Sequence, residues 1–260
     1  MPDLAHYWDL ALNQWGQSPQ RLWRVHSDAV NSALVADWLP AAMVPRILKT
    51  DLFDEALGEG LYVLLTSKAK SRVGMDLSFG TVQAARARYP ALAATRADVR
   101  LLPFADDAFD VVVSNSRLDH LESKAHIIVA LRDLHRVLRT GGHLLLTLDN
   151  PMNPLIALRN ALPFPLWQRM GVVPYYVGAT IGPIRLRRIL VQLGFEVLEV
   201  RALMHCPRVI AIPIAWAVGR YAMPATKRRY LRLLMAFECL SRWPLPLVTG
   251  HFVAAKAVKR

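Results

Sequence analysis

The chain has 260 residues, 53% of them hydrophobic and 20% charged, with 17 Pro, 13 Gly and 2 Cys. That composition excludes a disordered chain and a disulfide scaffold, and the length suits one large α/β domain or two small ones. The net charge of +12 is concentrated in one half: residues 1–150 carry 16 Lys and Arg against 17 Asp and Glu, residues 151–260 carry 16 against 3, which points to an anionic partner such as a membrane surface, nucleic acid or a phosphorylated substrate.

Taken in chain order, residues 1–40 read as helical. The first ten residues, MPDLAHYWDL, have neither a basic start nor an apolar core, so no secretory leader is expected. In HSDAVNSALVADWL, Ser27 is the expected N-cap, and Val30, Leu34 and Trp38 recur every four residues on one face. Pro40 and Pro45 bracket the exit. A strand–helix alternation follows: strand 46–50 (RILKT), helix 54–65 weakened by Gly58 and Gly60, strand 72–76 (RVGMD), and helix 79–90 stopped by Pro90. Strand 109–116 is next, then a helix over 125–139 with Ile127, Leu131, Leu134 and Leu138 on one stripe, ended by Gly141 and Gly142, and a strand over 143–150. Such alternation predicts a doubly wound, mostly parallel α/β sheet with helices on both faces.

Beyond Asn150 the pattern loosens into Pro-, Gly- and aromatic-rich sequence. A helix over 184–193 capped by Gly194, a strand over 195–203, an apolar and basic helical stretch over 205–248 and a closing strand over 251–259 are expected. We read one domain over 1–260: a helical cap (1–43), a cofactor-binding core (44–150), and a substrate or lid region (151–260) with a helical insertion at 205–248 before the last strand. The charge-free runs Met170–Ile184 and Trp243–Ala255 are 15 and 13 residues long, short of the roughly 18–20 apolar residues of a spanning helix. Cys206 and Cys239 form no close pair, so reduced thiols and a cytoplasmic location are expected, with contact to a membrane surface peripheral at most.

Ligands of open α/β sheets bind at the carboxyl ends of the strands. Those ends carry Lys49-Thr50-Asp51, then Asp76, and after strand 109–116 the pair Asn115-Ser116; Asp98 and Val99 sit in the turn ADVRLLPF. A carboxylate accepts two hydrogen bonds side by side, so Asp76 suits the two hydroxyls of a ribose, and Asp98 suits an exocyclic amine. Taken singly, each reads equally well as a helix N-cap; their order and spacing favour a nucleoside.

The segments RVGMDLS, ADVRLLPFADDAFDVVVSNS and LHRVLRTGGHLLLTL resemble the class I S-adenosylmethionine-dependent methyltransferases, in particular the ubiquinone and menaquinone methyltransferase group. The resemblance covers residues 44–150, with a weaker continuation to 203. It implies a seven-stranded sheet and S-adenosyl-L-methionine as cofactor. It also implies that Asp76 holds the ribose, that Asp98 and the Val99 backbone hold the adenine, and that Asn115 and Ser116 lie beside the methionine part. The family's glycine-rich loop after the first strand is replaced here by KTDLFDEALGEG, whose glycines come late and are expected inside the helix. Either Lys49 or Thr50 takes the methionine carboxylate and Asp51 the amine, or the pocket is altered and cofactor binding is weak or lost.

His120, in SNSRLDHL, is the candidate base, with Asp119 and His143 as weaker ones; a surface-loop histidine is the competing reading. Tyr175 and Tyr176 are candidates for the acceptor pocket, or for packing. No metal-ligand spacing is present. The apolar segments VIAIPIAWAVG and WPLPLV, with Trp167, Trp216 and Trp243, favour a lipophilic acceptor such as a quinone, isoprenoid, polyketide or lipid. Two alternatives remain: a methyltransferase fold that binds or regulates without transferring methyl, and a nucleic-acid methyltransferase, which charge alone supports. The cluster Lys227, Arg228 and Arg229 with Leu231, Leu234, Met235 and Phe237 reads as a basic, apolar interfacial helix.

Overall fold

Ile47 and Leu48 stand side by side on strand β1 (Val44–Lys49), both fully buried, because successive strand side chains point to opposite faces and both faces of this sheet are covered. The computed structural model describes residues 4–16, 20–161 and 176–260. The remaining strands are β2 (Ala69–Asp76), β3 (Ala93–Arg96), β4 (Phe109–Asn115), β5 (Leu138–Asp149), β6 (Phe195–Leu203) and β7 (Phe252–Lys259). They form one sheet in the order β3-β2-β1-β4-β5-β7-β6. The pairs among β1 to β5 are parallel, whereas β7 runs antiparallel to both β5 and β6, so the sheet is mixed. Winding reverses between β1 and β4, which opens a crevice at their carboxyl ends.

On one face, Leu48, Val112, Leu144 and Leu146 pack against helix α6 (Lys124–Val137) and helix α8 (Pro183–Gln192). The stripe Ile127, Leu131 and Leu134 on α6 is fully buried there. On the other face, Ile47, Val111, Val113 and Leu145 meet helix α2 (Arg21–Trp38), whose Val30, Leu34 and Trp38 point inward as their spacing implies. Outside α2 lie helices α9 (Arg208–Tyr221) and α10 (Pro224–Ala236), which follow β6 and contact α2 and each other. A short helix α11 (Pro246–Thr249) leads into β7, and helix α7 (Pro154–Ala161) follows β5.

Helix α1 (Leu4–Gly16) docks by a polar contact onto helix α5 (Phe79–Arg88): Asp9 accepts from the Gly80 N–H at 3.0 Å and from the Ser78 hydroxyl. Ser78 in turn caps α5 by accepting from the Thr81 N–H at 2.9 Å.

Three expectations need correction, and one strand was not foreseen. Ser27 lies inside α2, which starts at Arg21 after Gln20 without a side-chain cap. The expected helix over 54–65 is two short ones, α3 (Phe53–Leu57) and α4 (Tyr62–Lys68). Gly58 and Gly60 fall between them, and Gly60 has φ +52°, where a Cβ would stand 2.5 Å from Glu55 Oε1. Helix α6 ends at Val137, and the chain enters β5 directly at Leu138, so Gly141 and Gly142 lie within the strand. Strand β3 is four residues, AATR, half-exposed and without an apolar run, and carries no strand signal of its own.

Candidate active site

The sequence segment that replaces a glycine-rich loop builds a buried charge cluster. Lys49 is 3% exposed, and its ammonium donates to the Asp51 carbonyl oxygen at 2.8 Å, to Asp51 Oδ1 at 3.0 Å and to Glu55 Oε2 at 2.8 Å. Burial opposes its charge, but the Asp51 and Glu55 carboxylates outweigh that and raise the Lys49 pKa. Glu55 is fully enclosed and pushed up to about 7, first by burial, with Lys49 pulling the other way. Its other oxygen accepts from the Leu61 N–H at 2.8 Å, which ties the Gly58–Leu61 turn to the cluster. Thr50 is fully buried too and donates to the Ser114 hydroxyl at 2.9 Å. Lys49 and Thr50 are therefore framework, and neither lines the cleft.

Leu52 is fully buried over Gly74 of β2, where a Cβ would meet the Leu52 side chain at 2.5 Å. The Leu52 N–H reaches Asp76 Oδ2 at 3.1 Å, and the Ser78 N–H reaches Asp76 Oδ1 at 2.9 Å. Asp76 thus pins the ends of β1 and β2 together while still lining the cleft. A carboxylate has about four acceptor positions, so two remain. Burial raises its pKa; Arg117 and the two amides oppose the rise.

The cleft, about 170 Å³, opens where β1, β2, β4 and β5 end. Asp51, Asp76, Asn115, Ser116, Asp119 and His120 line it together. Ser116 has φ +47° and donates its N–H to Thr147 Oγ1 at 2.8 Å, which turns the chain out of β4 towards the opening. Asp98 is not in the wall: Arg100 clamps its carboxylate through Nε at 3.0 Å and Nη2 at 2.6 Å and, with its N–H bond, holds the pKa low against partial burial. Val99 is core, 1% exposed. His143 sits on β5 opposite Val111, away from the strand ends. Tyr175 and Trp167 lie outside the described residues.

Tyr176 meets the site through its backbone, its carbonyl oxygen 2.9 Å from His120 Nδ1 and its N–H donating to the Tyr7 hydroxyl at 2.6 Å. Since the carbonyl only accepts, Nδ1 carries the proton and Nε2 is the basic nitrogen. Burial, then the charge of Arg117, pushes His120 down to about 4, so the ring is neutral at pH 7. Trp8 of α1 packs edge-on to the ring at 4.7 Å. Next to it, Asp119 accepts from the Asp149 N–H at 3.1 Å and is pushed up to about 8, first by burial and then by the Asp149 charge. Asp149 itself pairs with Arg159 at 2.7 Å.

Several wall residues went unread in the sequence. Asp149 ends β5, and the strand-end rule applied to LLLTLDN finds it. Arg117 is 7% exposed and follows the quoted Asn115-Ser116 directly. Trp8, Trp23, Arg24 and Arg208 come from helices whose approach to the cleft has no local signal. Among the described residues, no group of three or more His, Cys, Asp or Glu is placed to hold a metal ion.

Residues 53–146 match the model of a family described as a methyltransferase domain. A Mycobacterium tuberculosis protein named as a probable S-adenosylmethionine-dependent methyltransferase is 27% identical over 167 residues, 64% of this chain and 56% of that one. The chain therefore spans little more than half the length of this relative. A phthiotriol/phenolphthiotriol dimycocerosates methyltransferase of Mycobacterium ulcerans is 33% identical over 100 residues, 38% of this chain and 36% of the relative. Among solved structures, a chain in the Haloferax volcanii complex of the Trm112 methyltransferase activator with a methyltransferase superposes with TM-score 0.64 at 18% identity, covering 98% of this chain and 97% of that one. The fold is that of the class I methyltransferases, and the matched domain and relatives imply S-adenosylmethionine as the cosubstrate. Three buried polar atoms of cleft residues fit its zwitterionic end. Asp51 Oδ2 is an acceptor and Arg117 Nε a donor, and Asp119 Oδ1, on a carboxyl that burial keeps largely protonated at neutral pH, is a hydroxyl; none has a hydrogen-bond partner.

Proposed function

We propose that this chain is an S-adenosylmethionine-dependent methyltransferase acting on a lipophilic small molecule, a quinone, isoprenoid, polyketide or lipid. The observation that carries the reading is the cleft at the switch point, with Asp76 at the end of β2 in its wall and Asp51 offering an unpartnered oxygen. In this reading residues 1–260 act as one unit, with 44–150 holding the cosubstrate and 151–260 meeting the acceptor. Asp76 takes the ribose hydroxyls with its two remaining acceptor positions, and Asp51 takes the amine. Arg117, in place of Lys49 or Thr50, takes the carboxylate, because its Nε is buried without a partner. Asn115 and Ser116 line the space between.

The bound cosubstrate supplies a methyl group on a sulfonium, and its transfer is an in-line displacement that depends above all on alignment. His120 Nε2 receives the proton of a hydroxyl acceptor, held in position by the Tyr176 carbonyl and by Trp8. The aromatic walls Trp8, Trp23 and Phe53 exclude water and suit an apolar acceptor. Support for a lipophilic acceptor also comes from the Mycobacterium ulcerans relative, which is named for methylating phthiotriol and phenolphthiotriol dimycocerosates. The basic, apolar surface beside the cleft suits an acceptor held at a membrane. A second reading, ligand binding without methyl transfer, is favoured by the sequence after β1, where Leu52, buried over Gly74, stands in the segment that replaces a glycine-rich loop.

Incubation with methyl-labelled S-adenosylmethionine and a lipid extract or total RNA tests the reading. Label is expected in the organic phase of the lipid reaction. Label confined to RNA contradicts the lipophilic acceptor, and label in neither supports the second reading.

A further inference from the structure

Helix α9 is apolar on both sides. Its inner residues Ala211 and Ala215 are buried, but its outer residues Val209, Ile210, Ile214 and Trp216 are 63%, 60%, 43% and 39% exposed. An apolar outer face on a surface helix leaves it short of a partner. Beside it, α10 turns Leu234 into the core and Arg228, Arg229 and Arg232 outward. Leu231, Met235 and Phe237, expected from the sequence at an interface, are half-buried; Met235 and Phe237 pack on the core. The exposed apolar surface is therefore mostly that of α9, joined by Leu233 of α10 at 57%, and the cationic surface mostly that of α10.

The geometry points to α9 and α10 as one docking face for an anionic lipid bilayer, with α9 entering the headgroup boundary and α10 lying over the phosphates. Charge selects this occupant. Residues 205–250 hold seven Lys and Arg and a single acid, Glu238. Glu238 faces inward, accepting the Met204 N–H at 3.1 Å and the His205 N–H at 3.0 Å, so it does not offset the outer cations. A second copy of the same face brings like charges together, which disfavours self-association through it. Three of the four exposed outer residues, Val209, Ile210 and Ile214, are aliphatic and offer no stacking surface for bases, which disfavours a nucleic acid. Arg220 lies 5.9 Å from the Trp216 ring centre and 5.6 Å from that of Tyr221, a cation and two aromatics together where headgroups meet acyl chains. No helix among the described residues is long and apolar enough to cross a membrane, so the contact is interfacial.

The face adjoins the cleft. Arg208, the first residue of α9, is in the cleft wall with Phe252, and Val209 and Ile210 follow it directly on the exposed side. Docking thus sets the cleft mouth beside the lipid, which deepens the lipophilic-acceptor reading and rests on it for that consequence only.

Flotation of the full chain with vesicles of phosphatidylcholine, alone or mixed with phosphatidylglycerol, tests the docking without turnover. Binding is expected on the anionic vesicles at low salt and not on the neutral ones, and is expected to weaken as salt rises. The triple variant Arg228→Gln, Arg229→Gln, Arg232→Gln is expected to bind about a hundredfold more weakly. The double variant Ile210→Ser, Trp216→Ser is expected to lose at least about tenfold. All five positions are exposed, and an unchanged melting temperature and unchanged cosubstrate affinity in both variants separate docking from folding and from the methyl-transfer reading. The proposal is overturned if anionic vesicles do not float the chain at low salt, or if neither variant weakens binding. It is also overturned if the chain is a dimer without lipid that the double variant dissociates.

Discussion

Replacing Lys49 by Met is expected to destabilise the fold by about 3–5 kcal/mol above pH 7, the usual effect of stranding buried charges by removing their partner. Lys49 holds two carboxylates, Asp51 at 3.0 Å and Glu55 at 2.8 Å, in a site where the Lys49 and Glu55 side chains are almost wholly enclosed. The deficit should depend on pH in a definite direction. Glu55 is raised from 4.5 to about 7 by burial even with Lys49 beside it. A carboxyl raised in the folded state contributes stability below its unfolded pKa of 4.5, and loses it as pH rises through the folded value. Without Lys49 the folded value climbs further, so the deficit is largest above pH 7 and shrinks towards pH 5. Adding Glu55→Gln to the Lys49→Met chain should restore most of the loss. Urea unfolding of the single and double variants at pH 5 and pH 8 measures this. A deficit below about 1 kcal/mol at both, or one that grows towards pH 5, contradicts the cluster as described.

His120→Gln is expected to lower kcat by about a hundredfold or more on a hydroxyl acceptor, with little change in cosubstrate affinity. The geometry behind this is the Nδ1 contact to the Tyr176 carbonyl at 2.9 Å, which leaves Nε2 to take the proton. Because His120 is lowered from 6.5 to about 4 by burial, it stays neutral as pH falls to about 5. Activity should therefore hold in the range where a solvent-exposed histidine would already have charged. Turnover of the variant equal to that of the native chain between pH 6 and 9 removes His120 from the reaction.

The sheet was readable because its central strands are near-continuous apolar runs, FDVVV and HLLLTL, which only a doubly covered strand tolerates. The four residues of β3 gave no such signal, since AATR is held by its neighbour β2 and its own side chains are half-exposed. At the site, the strand-end rule points to Asp51, Asp76, Asn115 and Ser116, which line one cleft, and to Lys49 and Asp98, which turn to other partners. Both departures have one cause. A side chain at a strand end takes whichever partner lies nearest, here Glu55 six residues on and Arg100 two residues on, and spacing alone does not reveal which way it turns. The contributions of Trp8, Trp23 and Arg208 were illegible because they depend on how whole helices pack against the sheet. The apolar outer face of α9 was hidden for a related reason. Its composition was plain in VIAIPIAWAVG, but only packing on α2 decides which side stays exposed.

The central claim is that the cleft at the ends of β1, β2 and β4 holds S-adenosylmethionine through Asp76. Isothermal titration of S-adenosylhomocysteine into the native chain and into Asp76→Ala tests it most directly. Saturable one-to-one binding is expected for the native chain. A loss of at least about 1–3 kcal/mol is expected for the variant, which lacks both the acceptor for the ribose and the anchor of the Leu52 and Ser78 amides. No heat of binding to the native chain, or equal affinity in a folded Asp76→Ala chain, contradicts the account.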